Sequence, residues 1–398
     1  MAFIRPIIKG GGGTEIQGAV DITEIAGSDI SAGELVFLAG SGNYTKLESP
    51  SNTISTSGIC INLDGTRLTT TSGSSPFLCI FDITTTPYTA ITPISSVDLP
   101  KDDALCCCYN QDGSRLVVGH YGSPYLTIYN TTVNPYTKIT PISISTPVRK
   151  CKYNNNGTRL AFTTSSSDSY IKMYTVSGDT YSLVPQSLPA SQPYDIAFDP
   201  KGEHIMLGLA NSPFLQLNNI SGSKINDPVD ILPSAACSVV FYNHDGSRFI
   251  AQNGNGISVY NSSTIPYIKL FDISTGLVND GLYNQDSSRL IMGCRDYPYL
   301  RVYDTSTIPY TEITNINDLP ENSCFRLTMS YDGTKLIASQ SGISPYLNVY
   351  DVTFFIQKMS YAPIKLVQAN RYGYCPEAIT AGESGVMKQL FGLDMTYE

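Results

Sequence analysis

A chain of 398 residues with 41% hydrophobic side chains holds enough apolar material for a sizeable core, and its length suits two or three ordinary domains or one large repeat domain with additions. Charged residues reach only 15%, while Gly, Pro, Ser, Thr, Asn and Tyr are abundant, a strand-and-turn composition that excludes a helical protein. A net charge of -9 without any Lys/Arg cluster argues against a phosphate-tracking surface, so nucleic acid is not an expected partner, and with no run of 18 apolar residues membrane insertion is not expected either.

At the N-terminus, "MAFIRPIIKGGGG" carries a semi-apolar run broken by Arg5 and Pro6, too short for a secretion signal. The chain is therefore expected to be made in the cytoplasm and to stay soluble. Residues 1–13 read as an apolar arm on a Gly10 to Gly13 hinge, with a plain flexible terminus as the equal alternative. The glycines lack a following Gly-Lys-Ser/Thr, so they form a linker and not a phosphate loop.

From residue 58 onward one turn recurs: Asn62-Leu63-Asp64-Gly65-Thr66-Arg67, Asn110-Gln111-Asp112-Gly113-Ser114-Arg115, Asn154-Asn155-Asn156-Gly157-Thr158-Arg159, Asp199-Pro200-Lys201-Gly202, Asn243-His244-Asp245-Gly246-Ser247-Arg248, Asn284-Gln285-Asp286-Ser287-Ser288-Arg289 and Ser330-Tyr331-Asp332-Gly333-Thr334-Lys335. Measured at the glycine position, the spacings are 48, 44, 45, 44, 41 and 46 residues. That period marks propeller blades. Each unit reads as an apolar strand ("CSVVFY"), the turn, a second strand ("SRFIAQ"), a Gly/Ser/Pro loop, a third strand ("ISVYN"), a polar turn ("SSTIPY") and a fourth strand ("IKLFD"). Asn or Asp at the first turn position is expected to bond the backbone two residues on, and Gly to take a positive φ, with Ser287 standing in for it in the sixth unit.

Two rings of repeated residues are candidates for function. The basic residues two positions after the glycine site, Arg67, Arg115, Arg159, Arg248, Arg289 and Lys335, with His204 in the fourth unit, could bind a ligand, but are expected to pack across the blade and bond turn carbonyls or the Asp. The loop S-P-(F/Y)-L is expected to place Phe77, Tyr125, Phe214, Tyr299 and Tyr346 at the first residue of the third strands, after a proline that stiffens the connection. These aromatics are the candidate ligand- or partner-binding residues, able to stack on sugars or a partner protein, although packing between blades demands the same repetition.

Ten cysteines lie mostly in apolar strands, Cys60, Cys106, Cys107, Cys108, Cys151 and Cys237 just ahead of turns, and are expected to be free, buried thiols. Adjacent Cys106, Cys107 and Cys108 alternate faces and cannot jointly chelate one ion. The histidines at 120, 204 and 244 stand far apart, and no catalytic or metal motif occurs, so no catalytic residue, metal or cofactor is expected. The N-x-D-G turns lack the twelve-residue loop closing on Glu that calcium would need. Asp102, Asp103, Asp280, Asp318 and Glu321 read as lying on connections into first strands, where they could bind a cation or a basic partner but are expected to be solvated charge.

The two ends share one pattern: Ile30-Ser31-Ala32-Gly33-Glu34 within residues 14–57, and Ile379-Thr380-Ala381-Gly382-Glu383 within 361–398. Each segment is too short to bury a core alone, so together they are expected to form one small β domain, interrupted by a seven-bladed β-propeller over 58–360. The fold class is all-β.

Residues 58 to 360 resemble WD-repeat and related seven-bladed propeller units, on stretches such as "YDIAFDPKGEHIMLGLANSPFLQLNN" and "CSVVFYNHDGSRFIAQNGNGISVYN". The chain departs from the WD pattern in having no Trp and no Gly-His dipeptide; Phe81-Asp82, Tyr129-Asn130, Tyr260-Asn261, Tyr303-Asp304 and Tyr350-Asp351 stand where Trp-Asp would. The end segments, Ile30 to Val36 and Gly373 to Val386, resemble small β domains of tailed-bacteriophage virion proteins, where I-x-A-G-(D/E)-x-V flanks variable material. What this second resemblance implies is a structural virion protein, a capsid or tail decoration or fibre-type component, present in many symmetric copies or as a homo-oligomer. Other virion proteins would be its partners, and the propeller would be displayed toward a host-surface glycan or protein. A carbohydrate-binding receptor-recognition propeller is the alternative, and a propeller hydrolase or lyase a third reading that no residue cluster favours.

Overall fold

Apolar runs of four to six residues, separated by residues that favour chain reversal, leave each repeat little choice but a meander of short strands. In the computed structural model, blade one spans residues 58–91, blade two 104–139, blade three 148–184, blade four 193–225, blade five 240–274 and blade six 278–313, each a four-stranded sheet paired antiparallel in chain order. Blade seven holds Cys324–Met329, Lys335–Gln340 and Leu347–Lys358, and its fourth strand is Leu35–Leu47, on the outer side of Leu347–Lys358. The protein is an all-β, seven-bladed β-propeller, without a helix among the described residues.

The structure describes residues 55–358, apart from 85–87, 92–93, 96–97, 140–141, 167–169, 227, 315, 317–318 and 343, together with the strands Asp21–Ile25, Leu35–Leu47, Tyr372–Tyr374 and Ser384–Leu390. Outside 46–47 and 55–352, these strands are described by backbone pairing. The arm at 1–13, Asp318, and the I-x-A-G-E stretches at 30–34 and 379–383 fall outside the described residues, apart from the first pairing residues beyond them.

By internal contacts the chain divides into Thr45–Asp351, which holds the blades, and Met1–Tyr44 with Val352–Glu398. In the second unit, Asp21–Ile25 pairs antiparallel with Ser384–Leu390, from Asp21 opposite Lys388 to Ile25 opposite Ser384. Tyr372–Tyr374 pairs with the other edge of Ser384–Leu390 and with Leu35 and Val36.

Burial follows strand position within the blade. Second strands are covered by neighbouring blades on both faces: in Arg115–His120 and His204–Leu209 every residue after the first is buried. Such strands read as continuous apolar runs for the reason strands of doubly covered sheets do. Fourth strands face solvent, and Ile268–Ser274 alternates exposed and half-buried residues along its length. The core is a series of clusters between adjacent blades, such as Leu78 and Ile80 of blade one against Leu116, Val118 and Tyr129 of blade two. Leu47 packs on the cluster of Leu68 and Phe81 from blade one with Ile337 and Val349 from blade seven.

Blades approach so closely that some second strands need glycine. A Cβ on Gly208 would lie 2.5 Å from the Cys237 carbonyl oxygen, and one on Gly119 would lie 2.7 Å from both Cys106 Sγ and Val148 Cγ1.

Candidate functional site

The repeated turn is a closed hydrogen-bond circuit. In blade five, Asn243 Oδ1 accepts the backbone N–H of Arg248 at 2.8 Å while its Nδ2 donates to Ser247 Oγ at 3.1 Å, and Asp245 Oδ1 accepts the Ser247 N–H at 2.7 Å. The same set recurs around Asn110 and Asn284. The side chain that reaches two residues on is therefore the third-position Asp, and the first-position Asn spans five, a correction to the simple Asx-turn expectation. The glycines sit at φ between 69° and 74° in these turns, and Ser287 adopts φ 61° in the same place.

The basic residues that follow are held by the blade. Arg67, Arg115, Arg159, Arg248 and Arg289 each donate from NH1 to the preceding carbonyl at 2.7 to 3.0 Å. Arg67 and Arg289 pair with Asp82 and Asp304, which end the third strands of their blades, at 3.0 and 3.2 Å. Arg115 bonds Asn130 and reaches Asp179 of blade three at 2.6 Å. Arg67 and Arg248 also meet the hydroxyls of Tyr136 and Tyr310 on the following blade. The Lys335 N–H donates to Ser330 Oγ.

Below this rim runs a tyrosine device that sequence reading missed. The Tyr before the turn's Asn meets the Tyr of the Pro-Tyr dipeptide, or a Tyr on the fourth strand, within its own blade: Tyr242 to Tyr267 at 3.0 Å, Tyr283 to Tyr310 at 3.1 Å and Tyr153 to Tyr181 at 3.0 Å. Burial pushes all of these phenols up, so they act as neutral hydrogen-bonding groups at neutral pH. They tie the first strand of a blade to its fourth strand or to the residue just before it. Tyr in both positions at the repeat period was the available signal.

The first strands line a cavity of about 650 Å³ whose wall includes Lys150, Lys152, Asp280 and Arg326. A β-bulge interrupts the first strand of blades two, three, four, six and seven at the same register. The residue after each bulge ties its blade to a neighbour: Asp195 Oδ2 accepts Val240 N–H at 3.0 Å, Asp280 Oδ2 accepts Leu327 N–H at 3.0 Å, and Arg326 Nε donates to Ser57 carbonyl at 2.9 Å. Asp280 thus lies within a first strand and not on a connection, which corrects its sequence assignment; Asp102, Asp103 and Glu321 do precede first strands. Burial pushes the Asp195 carboxyl up, but Lys150, Lys152 and the N–H groups of Val240 and Ile196 together outweigh it and hold the group below the usual range. Lys150 Nζ stands 3.5 Å from Asp195 Oδ1. The charges that line the cavity are thus partly spent on ring cohesion.

At the opposite rim, Phe77, Tyr125, Phe214, Tyr299 and Tyr346 each stand one residue before a third strand, and not at its first position as the sequence suggested, and are half-buried. Phe77, Tyr125 and Phe214 pack on the clusters between blades one and two, two and three, and four and five. The proline before each of the five is cis. Blade six differs, because Tyr297 replaces Ser ahead of the proline; it is 73% exposed and meets Tyr299 edge-on with ring centroids 5.9 Å apart.

Blade four departs from the repeat at Asp199, Lys201, Glu203 and His204, and of these Asp199, Glu203 and His204 bring one ligand-type atom each within 4.8 Å of one another. Asp199 Oδ1 accepts the Glu203 and His204 N–H groups, and Oδ2 lies 3.3 Å from His204 Nδ1, so the set doubles as the turn's own circuit. His120 and His244 are not members of this group and bond backbone carbonyls. Compared with models of known protein families and with curated proteins, the chain matches none.

Proposed function

We propose that the chain is a structural virion protein of a tailed bacteriophage, with the propeller displayed for contact with a protein or a host surface and the two ends serving as its base. The observation that carries this reading is the pairing of the ends: Asp21–Ile25 with Ser384–Leu390, and Leu35 and Val36 with Tyr374 and Gly373. A chain that leaves and returns through paired strands is built like an insertion, the arrangement that the I-x-A-G-E resemblance implies for such proteins. Blades whose polar groups are used in holding neighbouring blades together support a durable display module over a reactive one. The outward contact would be made at the aromatic-proline rim. The exposed Tyr297 beside Tyr299 favours, as a second reading, stacking on a glycan there.

Density-banded particles from infected cells test the proposal. Peptides of this chain are expected in the purified particles at a fixed multiple of a known once-per-particle component, and antibodies against the propeller are expected to bind intact particles. Absence of the chain from banded particles overturns it. Loss of host-cell adsorption on Tyr297→Ala, with particle content unchanged, selects the glycan reading.

A further inference from the structure

The first strand of blade two carries three consecutive cysteines and stands between the first strands of blades one and three. Alternation of side chains along a strand sends Cys107 to one neighbour and Cys108 to the other. Cys107 Sγ lies 3.2 Å from Cys60 Sγ of blade one, and Cys108 Sγ lies 3.4 Å from Cys151 Sγ of blade three. These are thiol pairs in contact across 47 and 43 residues of sequence. A disulfide needs about 2.05 Å between sulfurs, so side-chain motions of about 1 Å would close either pair. Cys107 and Cys151 also line the central cavity, which admits a small oxidant to each pair. Other buried cysteines meet backbone carbonyls instead: Cys237 that of Val239, Cys294 that of Met292 and Cys324 that of Arg326.

We infer that Cys60–Cys107 and Cys108–Cys151 are two oxidative modification sites, closing as inter-blade disulfides when the folded protein meets a peroxide. In each, a thiolate attacks one peroxide oxygen, the O–O bond breaks, and the departing hydroxide takes a proton to become water, leaving a sulfenic acid. The neighbouring thiolate then attacks that sulfur, the S–S bond forms, the S–O bond breaks, and the second hydroxide leaves as water. Two thiols and one peroxide thus yield one disulfide and two waters, with two electrons passing from the sulfurs to the peroxide. Burial pushes the Cys60 and Cys107 thiols up, so closure of that pair is slow at neutral pH and faster as the solution is made alkaline.

The test uses the full-length chain, reduced, exposed to hydrogen peroxide at pH 8, quenched, unfolded and titrated for thiols with and without a phosphine reductant. Of its ten cysteines, four are expected to become reductant-reversibly unavailable. Cys60→Ser and Cys108→Ser should each lose two, and the double variant none; matching thermal midpoints of the reduced proteins show that the variants fold. The oxidised wild type should also unfold at higher urea than its reduced form. No reversible loss in the wild type, or an equal loss in the double variant, overturns the proposal. A loss of four in Cys108→Ser means that Cys106 captures Cys151, and overturns the second pair.

Discussion

One buried imidazole fixes how blade two responds to acid. His120 is 2% exposed, with Nδ1 2.8 Å from the Gly122 carbonyl and Nε2 3.0 Å from Thr127 Oγ1. A carbonyl only accepts, so the hydrogen-bond network assigns the proton to Nδ1 and leaves Nε2 to accept from the hydroxyl: a neutral ring, satisfied on both sides. Burial pulls its pKa below 6.5, with Lys138 adding to the effect and the Gly122 carbonyl and Asp102 opposing it. The folded value lies under the unfolded one, so the unfolded chain takes up the proton first; the stabilisation is complete above the unfolded value and is lost as pH falls through the window beneath it. Urea midpoints are therefore expected to hold steady from pH 8 to 7 and to fall from about 6.5 toward 5. His120→Gln, whose amide offers one donor and one acceptor to the same partners, should flatten part of that fall. His244, also depressed by burial, supplies another part. An unchanged slope in His120→Gln would assign the acid response elsewhere.

Elements in this protein are set by how near one blade comes to the next. At Gly208 the Cys237 carbonyl would meet a Cβ at 2.5 Å and Val240 Cγ1 would meet it at 3.1 Å, and a backbone oxygen cannot swing aside. Gly208→Ala is expected to cost about 1–3 kcal/mol of stability, read from urea unfolding, as overpacking of a dense core does. A change under about 0.5 kcal/mol would show that blade five shifts freely against blade four. The strands and turns were legible in the sequence because turn chemistry and apolar runs are local and repeat seven times. Pairings between distant residues were not. "LVFLAGSGNYTKL" reads as a strand, yet nothing local says that its partner is Leu347–Lys358. Likewise the alternation of Cys106, Cys107 and Cys108 was readable, but their partners Cys60 and Cys151 come from adjacent blades. The tyrosine pairs lay within reach, since Tyr109, Tyr153, Tyr242 and Tyr283 precede the turn and Tyr88, Tyr136, Tyr267 and Tyr310 follow proline at the repeat period. Asp280 was misplaced because the polar Asn279-Asp280-Gly281 run resembles a connection, although the strand Val278–Tyr283 passes through it with a bulge.

For the propeller as a whole, the first and last blades must be joined, or the ring presents open edges to solvent. Three contacts make that join. Arg326 Nε of blade seven bonds the Ser57 carbonyl just before blade one. Ile337, Leu347 and Val349 pack with Ile59, Leu68 and Phe81. Leu47, at the end of Leu35–Leu47, packs on that same cluster. These contacts between the first and last blades are expected to make the ring a single cooperative unit, since a blade that opens exposes its neighbour's second strand. Leu47→Ala, at a half-buried site, is therefore expected to cost about 1–2 kcal/mol, less than the 2–5 of a fully buried leucine. The loss should appear as a shift of the whole urea transition, with its slope unchanged. Amide exchange should quicken together in blades one and seven and no less in blade four, because the opening that exposes them is global. Quickening confined to Leu35–Leu47 and Leu347–Lys358, with the main transition unmoved, would mean that this strand is an attachment to the ring and that Arg326 and the packed leucines close it without help.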